Sequence, residues 1–553
     1  MRLIPLLLLP LLAVAACEPK PAAPPPPAQE KAAAGPTAAD FGDLFVEASI
    51  GDASSLIPFL SGDSASSDIQ GYVFTSLLTV DRDMNQIPEL ARSYDVSPDG
   101  LTITFHLHPG LVWQDGAPFT SDDLLFQYEM MVHPDVPSAY KEPFLQIAEA
   151  TAPDPSTFVV RYAEPYAPAL ANIGGMTGLP RHLLRDVKPS DLAKHPLSRK
   201  PVGTGAYRLD RWEPQARVVL SANKGYFKKG EPRLAGVQYR IIPDTATQFL
   251  ELKAGNIDMM GLDPLQYSRQ TDGPTWDRFR KYRYLANAYT YIGYNLTRPL
   301  FRDVRVRRAI THAIDKQELV DGVLMGLGRP ATGPMKPGTW AYTDQVAHYP
   351  FDPARAKALL AEAGWTDTDG DGVIDREGKP FAFTLVTNQG NAPRKKSAEI
   401  IQRRLKEVGM KVDLRVVEWS SFIKNFIDAR DFDAIILGWS LGLDPDGYDI
   451  WHSSKTGPKE FNFISYANAE VDALLEKGRR TFDRAERTKA YHRIQEILAE
   501  EQPYTFLYVP EATPIVSARI EGIDPGPAGI GYNFPSWWVP KAKHLRGETA
   551  IAP

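Results

Sequence analysis

The sequence predicts a mixed α/β protein built from more than one domain. Strand and helix signals alternate along almost the whole chain. A length of 553 residues exceeds what one hydrophobic core usually serves. The composition, 43% hydrophobic and 24% charged, is that of ordinary globular material. In chain order, Leu44 to Ile50 reads as a short apolar strand. Leu101 to Leu107 alternates around Ile103, Phe105 and Leu107 directly after the turn Pro98-Asp99-Gly100. Thr120 and Asp123 hold capping-box spacing ahead of the apolar helix residues Leu124, Leu125 and Phe126. Arg217 to Leu220 and Val237 to Ile242 read as strands, and so does Tyr289 to Asn295. A helix then places Val306, Ala309, Ile310, Ala313 and Ile314 on one face. Two long amphipathic helices, Arg394 to Val408 and Arg484 to Glu500, bracket the buried strand Phe432 to Leu437.

The amino-terminal residues set the compartment. Met1-Arg2 supplies a positive head, and Leu3 to Val14 is apolar but too short to span a membrane, which needs ~20 residues. Val14-Ala15-Ala16-Cys17 resembles the lipobox of bacterial lipoproteins, and that resemblance implies a lipid on Cys17 as the first mature residue. Cys17 is the only cysteine, so the mature chain forms no internal disulfide, and a thioether protects the exported thiol. Residues 18–40 are rich in Pro and Ala and read as an extended tether to the membrane. The expected location is therefore the periplasmic or cell-surface side, anchored by lipid. A net charge of −6 argues against nucleic acid as a partner.

Four sequence blocks stand out along the chain. The first is Leu107-His108-Pro109-Gly110-Leu111-Val112-Trp113-Gln114-Asp115-Gly116-Ala117-Pro118-Phe119-Thr120, and the second is Pro201-Val202-Gly203-Thr204-Gly205-Ala206-Tyr207. The third joins Tyr294-Asn295 to Phe301-Arg302-Asp303-Val304-Arg305, and the fourth runs from Gly438-Trp439 through Asp444-Pro445-Asp446. Together they resemble the solute-binding receptors of bacterial ABC importers, in the peptide and nickel-binding family (family 5). The resemblance implies a two-lobed α/β periplasmic-binding-protein fold of the large cluster C type, with an extra α+β domain inserted in the first lobe. Mapped here, lobe I is 41–82, 201–298 and 507–553, the inserted domain is 83–200, and lobe II is 299–506. Hinges are expected near Asn295 to Pro299 and Tyr504 to Tyr508. The implied partners are a peptide cargo, ABC permease subunits and a lipid anchor, with the chain acting as a monomer.

Gly438, Trp439, Ser440 and Gly442 form the central cleft candidate, because ligands of open α/β sheets bind outside the carboxyl ends of strands. In peptide-binding relatives this segment pairs its backbone with the ligand as an added strand, a mode that reads any sequence. Ser49, Tyr207, Tyr294, Asn295, Asp444 and Tyr532 are expected to line or flank the same cleft. In those relatives an aspartate three residues after the tryptophan holds the ligand's amino terminus. Gly442 stands there in this chain, so either Asp444 or Asp446 takes the role or the cargo lacks a free amine.

Residues 438–442 also match G-x-S-x-G, the nucleophile elbow of hydrolases, with Asp472 and His492 available as triad partners. An elbow requires a helix directly after the serine, and Asp444-Pro445-Asp446-Gly447 is turn chemistry. Asp367, Asp369, Asp371 and Asp375 occupy oxygen positions of a calcium loop whose position-12 glutamate is replaced by Gly378. Beyond a structural calcium there, no cofactor is expected. His106 and His108 share one strand face, but two ligands do not close a metal site. The reading is thus a non-enzymatic receptor for oligopeptides; its alternatives are a receptor for a nickel complex, haem, oligosaccharide or opine, and a secreted serine hydrolase.

Overall fold

The structure, a computed structural model, describes residues 42–546. Cys17, the signal and the 18–40 tether lie outside the described residues. Three sheets organise the chain. The first is seven-stranded and pairs Leu44–Ser49 in parallel with Gly236–Ile241, which continues antiparallel through Arg217–Ala222 to Tyr207–Glu213. On its other side stand Met259–Gly261, Pro514–Ser517 and Phe279–Lys281. Phe45, Val73, Val218, Leu220 and Trp537 fill its core. The tight glycine run at 203–205 begins this lobe's return strand: Gly205 donates its amide to the Val73 carbonyl at 2.8 Å, and a side chain at residue 203 would strike the same carbonyl.

The inserted domain is a four-stranded antiparallel sheet of Ala91–Val96, Thr102–Leu107, Thr157–Tyr162 and Ile147–Asp154. Helix Ser121–Val132 covers it and begins in the capping box anticipated from Thr120 and Asp123. Ile103, Phe105, Leu124 and Val160 pack between sheet and helix. The strand alternation puts His106 outward, against the Asp95 carboxylate at 2.9 Å, and His108 beside the Phe227 ring, so the two imidazoles do not converge on a common ion.

The second lobe is built on a sheet ordered Tyr284–Leu285, Tyr504–Ala512, Ala288–Tyr294, Ala434–Ser440, Ala382–Asn388 and Lys411–Val417. Helices Val304–His312, Ala392–Glu407 and Arg484–Glu501 flank it, each opened by a capping side chain: Asp303, Asn391 and Asp483. This pairing corrects the expected boundaries. Ala288–Tyr294 pairs along its length with Ala434–Ser440, so it belongs to the second lobe, not the first. Tyr508 to Ala512 likewise remain in the second-lobe sheet, and the chain returns to the first lobe at Pro514. The crossings therefore fall at residues 282–287 and at Ala512–Pro514, where Tyr284 and Leu285 pair with Ala512 and Glu511. An apolar strand announces its burial but not which sheet receives it.

The lobes touch. Gly51 packs on the Trp419 ring, and Gly390 sits against Ile50 and the Pro243 carbonyl. The inserted domain also grips the second lobe: Lys455 Nζ lies 2.6 Å from Glu142, Arg480 lies 2.8 Å from Glu164, and the Ala167 amide donates to the Arg479 carbonyl at 2.8 Å. Tyr140 meets Phe461 edge-on at 5.2 Å. The two bodies thus meet directly along both of these contacts.

Candidate functional site

A cavity of about 430 Å³ lies between the lobes beside the crossing segments. Thr245, Asp263 and Pro264 line it from the first lobe, and Arg394, Gly438, Trp439, Ser440 and Tyr508 from the second. The strand Ala434–Ser440 brings its carboxyl end here. One of its edges is satisfied throughout by Ala288–Tyr294. On the other edge, pairing with Ala382–Asn388 reaches only Leu385–Ala434 and Val386–Ile435. The Ile436 carbonyl accepts from the Thr387 hydroxyl at 3.1 Å, and from Leu437 to Ser440 that edge has no strand beside it among the described residues. Main-chain donors and acceptors left open at a cleft form a template for an added strand.

Arg394 is the charged group of this wall. Helix Ala392–Glu407 starts directly after strand Ala382–Asn388, with Pro393 in its first turn, and so delivers Arg394 over the sheet's end. Its Nη1 donates to Asn388 Oδ1 at 2.9 Å, Nε is buried with no partner, and no carboxylate pairs with it among the described residues. Burial pulls the guanidinium down from its ordinary value, with Tyr508 and Tyr291 opposing. A buried cation lacking an anion is costly unless a ligand supplies one. The sequence reading missed Arg394, although a signal existed: an arginine in a helix's first turn opposes the helix dipole.

Trp439 forms the aromatic part of the wall. Its indole stacks on Phe463 at 5.8 Å, meets Phe461 edge-on at 5.4 Å, and donates Nε1–H to the Tyr504 hydroxyl at 3.3 Å. Gly438 leaves space for Arg394, and Ser440 is exposed at the strand's end. No helix follows the serine directly; the next is the short Tyr448–Trp451. Asp472 accepts both the amide and the hydroxyl of Ser453, so it is committed away from Ser440.

Several predicted positions lie elsewhere. Tyr207 is buried in the first-lobe core against Tyr72 and Phe534. Tyr294 is buried and shares a 2.6 Å hydrogen bond with Thr505, while Asn295 Nδ2 donates to the Arg430 and Phe432 carbonyls. Both therefore hold the second lobe together and do not reach the cleft. Tyr532 donates to Asp524 at 2.6 Å on the first lobe's surface. Ser49 ends its strand by donating its hydroxyl to the Gly51 carbonyl at 2.9 Å, next to the Gly51–Trp419 contact between lobes.

Neither Asp444 nor Asp446 is free for an ammonium. Arg487 Nη2 contacts both Asp444 oxygens at 2.6 and 2.8 Å, and Arg479 holds Asp446 at 2.8 Å. Gly442 is exposed and adds no polar side chain.

The carboxylates of Asp367, Asp369 and Asp371 converge to within 4.8 Å at the surface. Asp375 turns away and accepts from the Thr368 amide and hydroxyl at 2.9 and 2.7 Å, so it is not a fourth ligand.

Two lobes joined by two crossings over a cavity, with an open strand edge on its wall, define a hinge-closing binding protein. The chain belongs to the bacterial extracellular solute-binding proteins, family 5, whose middle region matches residues 85–461. It is 36% identical over 513 residues to the oligopeptide-binding protein AppA of Bacillus subtilis, spanning 90% of this chain and 92% of that one. The crystallised AppA, in complex with a nonapeptide, superposes with a TM-score of 0.87 at 33% identity, covering 90% and 99% of the two chains. Di/tripeptide-binding protein 1 of Pseudomonas aeruginosa is 29% identical, over 78% of this chain and 82% of that one. NikZ of Campylobacter jejuni, in complex with Ni(L-His), superposes with a TM-score of 0.81 at 26% identity, covering 90% and 99%.

Proposed function

We infer that this chain is the cargo-binding component of an ABC importer, tethered outside the membrane by a lipid on Cys17, and that its cargo is an oligopeptide. The observation that carries the reading is the edge Leu437 to Ser440, which no strand pairs among the described residues, next to Arg394. A peptide laid along that edge satisfies open main-chain groups whatever its sequence, while a cargo carboxylate neutralises the buried guanidinium. Trp439 supplies apolar contact beside the pairing segment.

The protein performs no covalent step in this scheme. Cargo meets the open receptor, the lobes shut at the 282–287 and 512–514 crossings, and the closed form is what a permease recognises. The receptor acts as a monomer, since one chain carries the whole cleft. A carboxylate-bearing metal complex such as the one in NikZ also suits an unpaired arginine, but it makes no use of the open strand edge.

Native mass spectrometry of ligands co-purifying with the protein tests the proposal, followed by calorimetry with the peptides found. Peptides that bind wild type and bind Trp439→Ala much more weakly support it. Co-purification of a metal complex alone, with no measurable affinity for any peptide, sinks it.

A further inference from the structure

A second cavity, of about 370 Å³, lies in the second lobe and shares no lining residue with the cleft. Ile314, Ala331 and Gln502 are its buried floor, and residues 347–351, which form neither helix nor strand, are its largely exposed rim. Gln502 follows helix Arg484–Glu501 at the far end of strand Tyr504–Ala512, whose other end supplies Pro510 and Ala512 to the cleft. Pro330, which closes strand Gly328–Pro330 beside it, stands on the cavity wall.

Lys316, at the start of the short helix Lys316–Glu318, lines this cavity as a cation without a counter-ion. Its Nζ donates to the Ala331 carbonyl at 3.0 Å, and no carboxylate pairs with it among the described residues. The acids next to it in the chain are committed elsewhere. Asp315 accepts from the Glu318 amide at 3.0 Å and Asp321 from the Gln317 side chain at 2.8 Å, while Glu318 binds Arg403 and Arg404 at 2.9 and 2.8 Å. Burial pulls the Lys316 ammonium down to about 8, and no neighbouring charge offsets that. An ammonium carries three donors, so one carbonyl leaves two of them open. The other polar groups of the lining are engaged: His348 Nε2 lies 3.1 Å from the Asp344 carbonyl, and the Tyr349 hydroxyl donates to the Glu500 carbonyl at 3.4 Å. Gln502 accepts from Thr311 and donates to the Ala499 carbonyl.

We propose that this cavity binds a small organic acid, its carboxylate on Lys316 Nζ and its apolar body against Ile314, Pro330 and Phe351. An apolar hollow with one placed polar group is the usual build of a small-molecule site. A desolvated ammonium gains most from an anionic acceptor, and the two open donors match the two oxygens of a carboxylate. The Phe351 ring is held at the rim by the Arg404 guanidinium, 4.9 Å above it, and so offers a fixed aromatic face. The site is separate from the cargo cleft and does not depend on the peptide reading.

Benzoate, benzylamine and inorganic phosphate are suitable probes: a ring with an anion, a ring with a cation, and an anion without a ring. Calorimetry is done on Arg394→Met protein, so that the cleft guanidinium takes up none of them. Benzoate should bind about tenfold or more tightly than either of the others, and adding Lys316→Met should weaken it by about tenfold or more. Peptide affinity of the single variant Lys316→Met should equal that of wild type. A second readout needs no substitution at all. In wild type treated with acetic anhydride, saturating benzoate should slow acylation of Lys316 several-fold and leave Lys489, which is 72% exposed, unchanged. Benzoate that binds no better than benzylamine or phosphate, that survives Lys316→Met, or that fails to protect Lys316 overturns the proposal. So does a Lys316→Met variant that loses peptide and benzoate together, since the lysine is then structural. Failure of the peptide reading shows separately, as wild type that binds no peptide.

Discussion

Gly438 and Arg394 are fitted to one another: a β-carbon on residue 438 would stand 2.8 Å from an Arg394 guanidinium nitrogen and 2.9 Å from the Tyr289 carbonyl oxygen. The strand end and the first turn of helix Ala392–Glu407 thus approach as closely as they do because residue 438 has no side chain.

Gly438→Ala is expected to displace the guanidinium and strain the strand. Overpacking of this kind costs ~1–3 kcal/mol of stability. Affinity for a carboxylate-bearing peptide should fall by roughly tenfold or more, since a displaced charged hydrogen bond is worth ~1.5–3 kcal/mol. Thermal melting with calorimetry checks both; unchanged affinity would place the carboxylate site elsewhere.

Arg394→Met should separate binding from folding. The guanidinium is buried without a carboxylate, so its replacement by an apolar chain leaves the empty protein as stable as wild type or more so. Binding of a peptide with a free carboxylate should weaken about 10–150-fold, the equivalent of ~1.5–3 kcal/mol, whereas an amidated peptide loses little. A large drop in melting temperature of the cargo-free variant would show Arg394 to be structural.

Glu142→Gln tests the contact between the inserted domain and the second lobe as a clasp. Glu142, Lys455 and Arg479 are all largely shielded from solvent, and the contact exists only when the inserted domain meets the second lobe. Loss of the pair should favour the open form and weaken every cargo by a similar factor, on the order of tenfold, because closure is linked to binding. Small-angle X-ray scattering should find the cargo-free variant more extended than wild type. Cargo-specific effects would contradict a clasp.

Stability should depend on pH through buried acids. Burial raises Glu47 to about 8, with the Tyr72 hydrogen bond opposing and Asp68 adding to the rise. Asp68 rises to about 6 and Asp449 to about 7, each mainly through burial. Each folded value lies above the unfolded one, so the folded state binds more protons between them. The stability of the cargo-free protein therefore falls as pH climbs from about 4 to about 8. Glu47→Gln keeps an oxygen to accept from the Tyr72 hydroxyl and should flatten the decline. Melting temperatures across this range decide it; a variant with the same slope as wild type rules Glu47 out as a cause.

Much of this is legible in the sequence. The capping pair Thr120 and Asp123, the apolar face Val306 to Ile314, and the helix opened by Asp483 announce themselves through neighbours a few residues apart. Gly438, Trp439 and Ser440 were readable as a strand end followed by turn residues. Tyr207, Tyr294 and Asn295 were misplaced because motif position does not say whether an aromatic or amide side chain turns toward a core or a cleft. Arg394, Asp449 and Glu142 went unnoticed because their significance lies in which charges they meet, across separations of tens to hundreds of residues.

Local pattern, then, was enough to determine alternating α/β elements and a buried strand that ends at Ser440 ahead of turn residues, since periodicity, capping and turn chemistry act within one or two turns of chain. Only the tertiary structure decided where the chain crosses between lobes, which edge of Ala434–Ser440 stays open, and which buried charges lack a counter-ion. Those depend on strand pairing and on the sum of charges in a volume that distant segments enclose together, and neither quantity exists until the chain has folded.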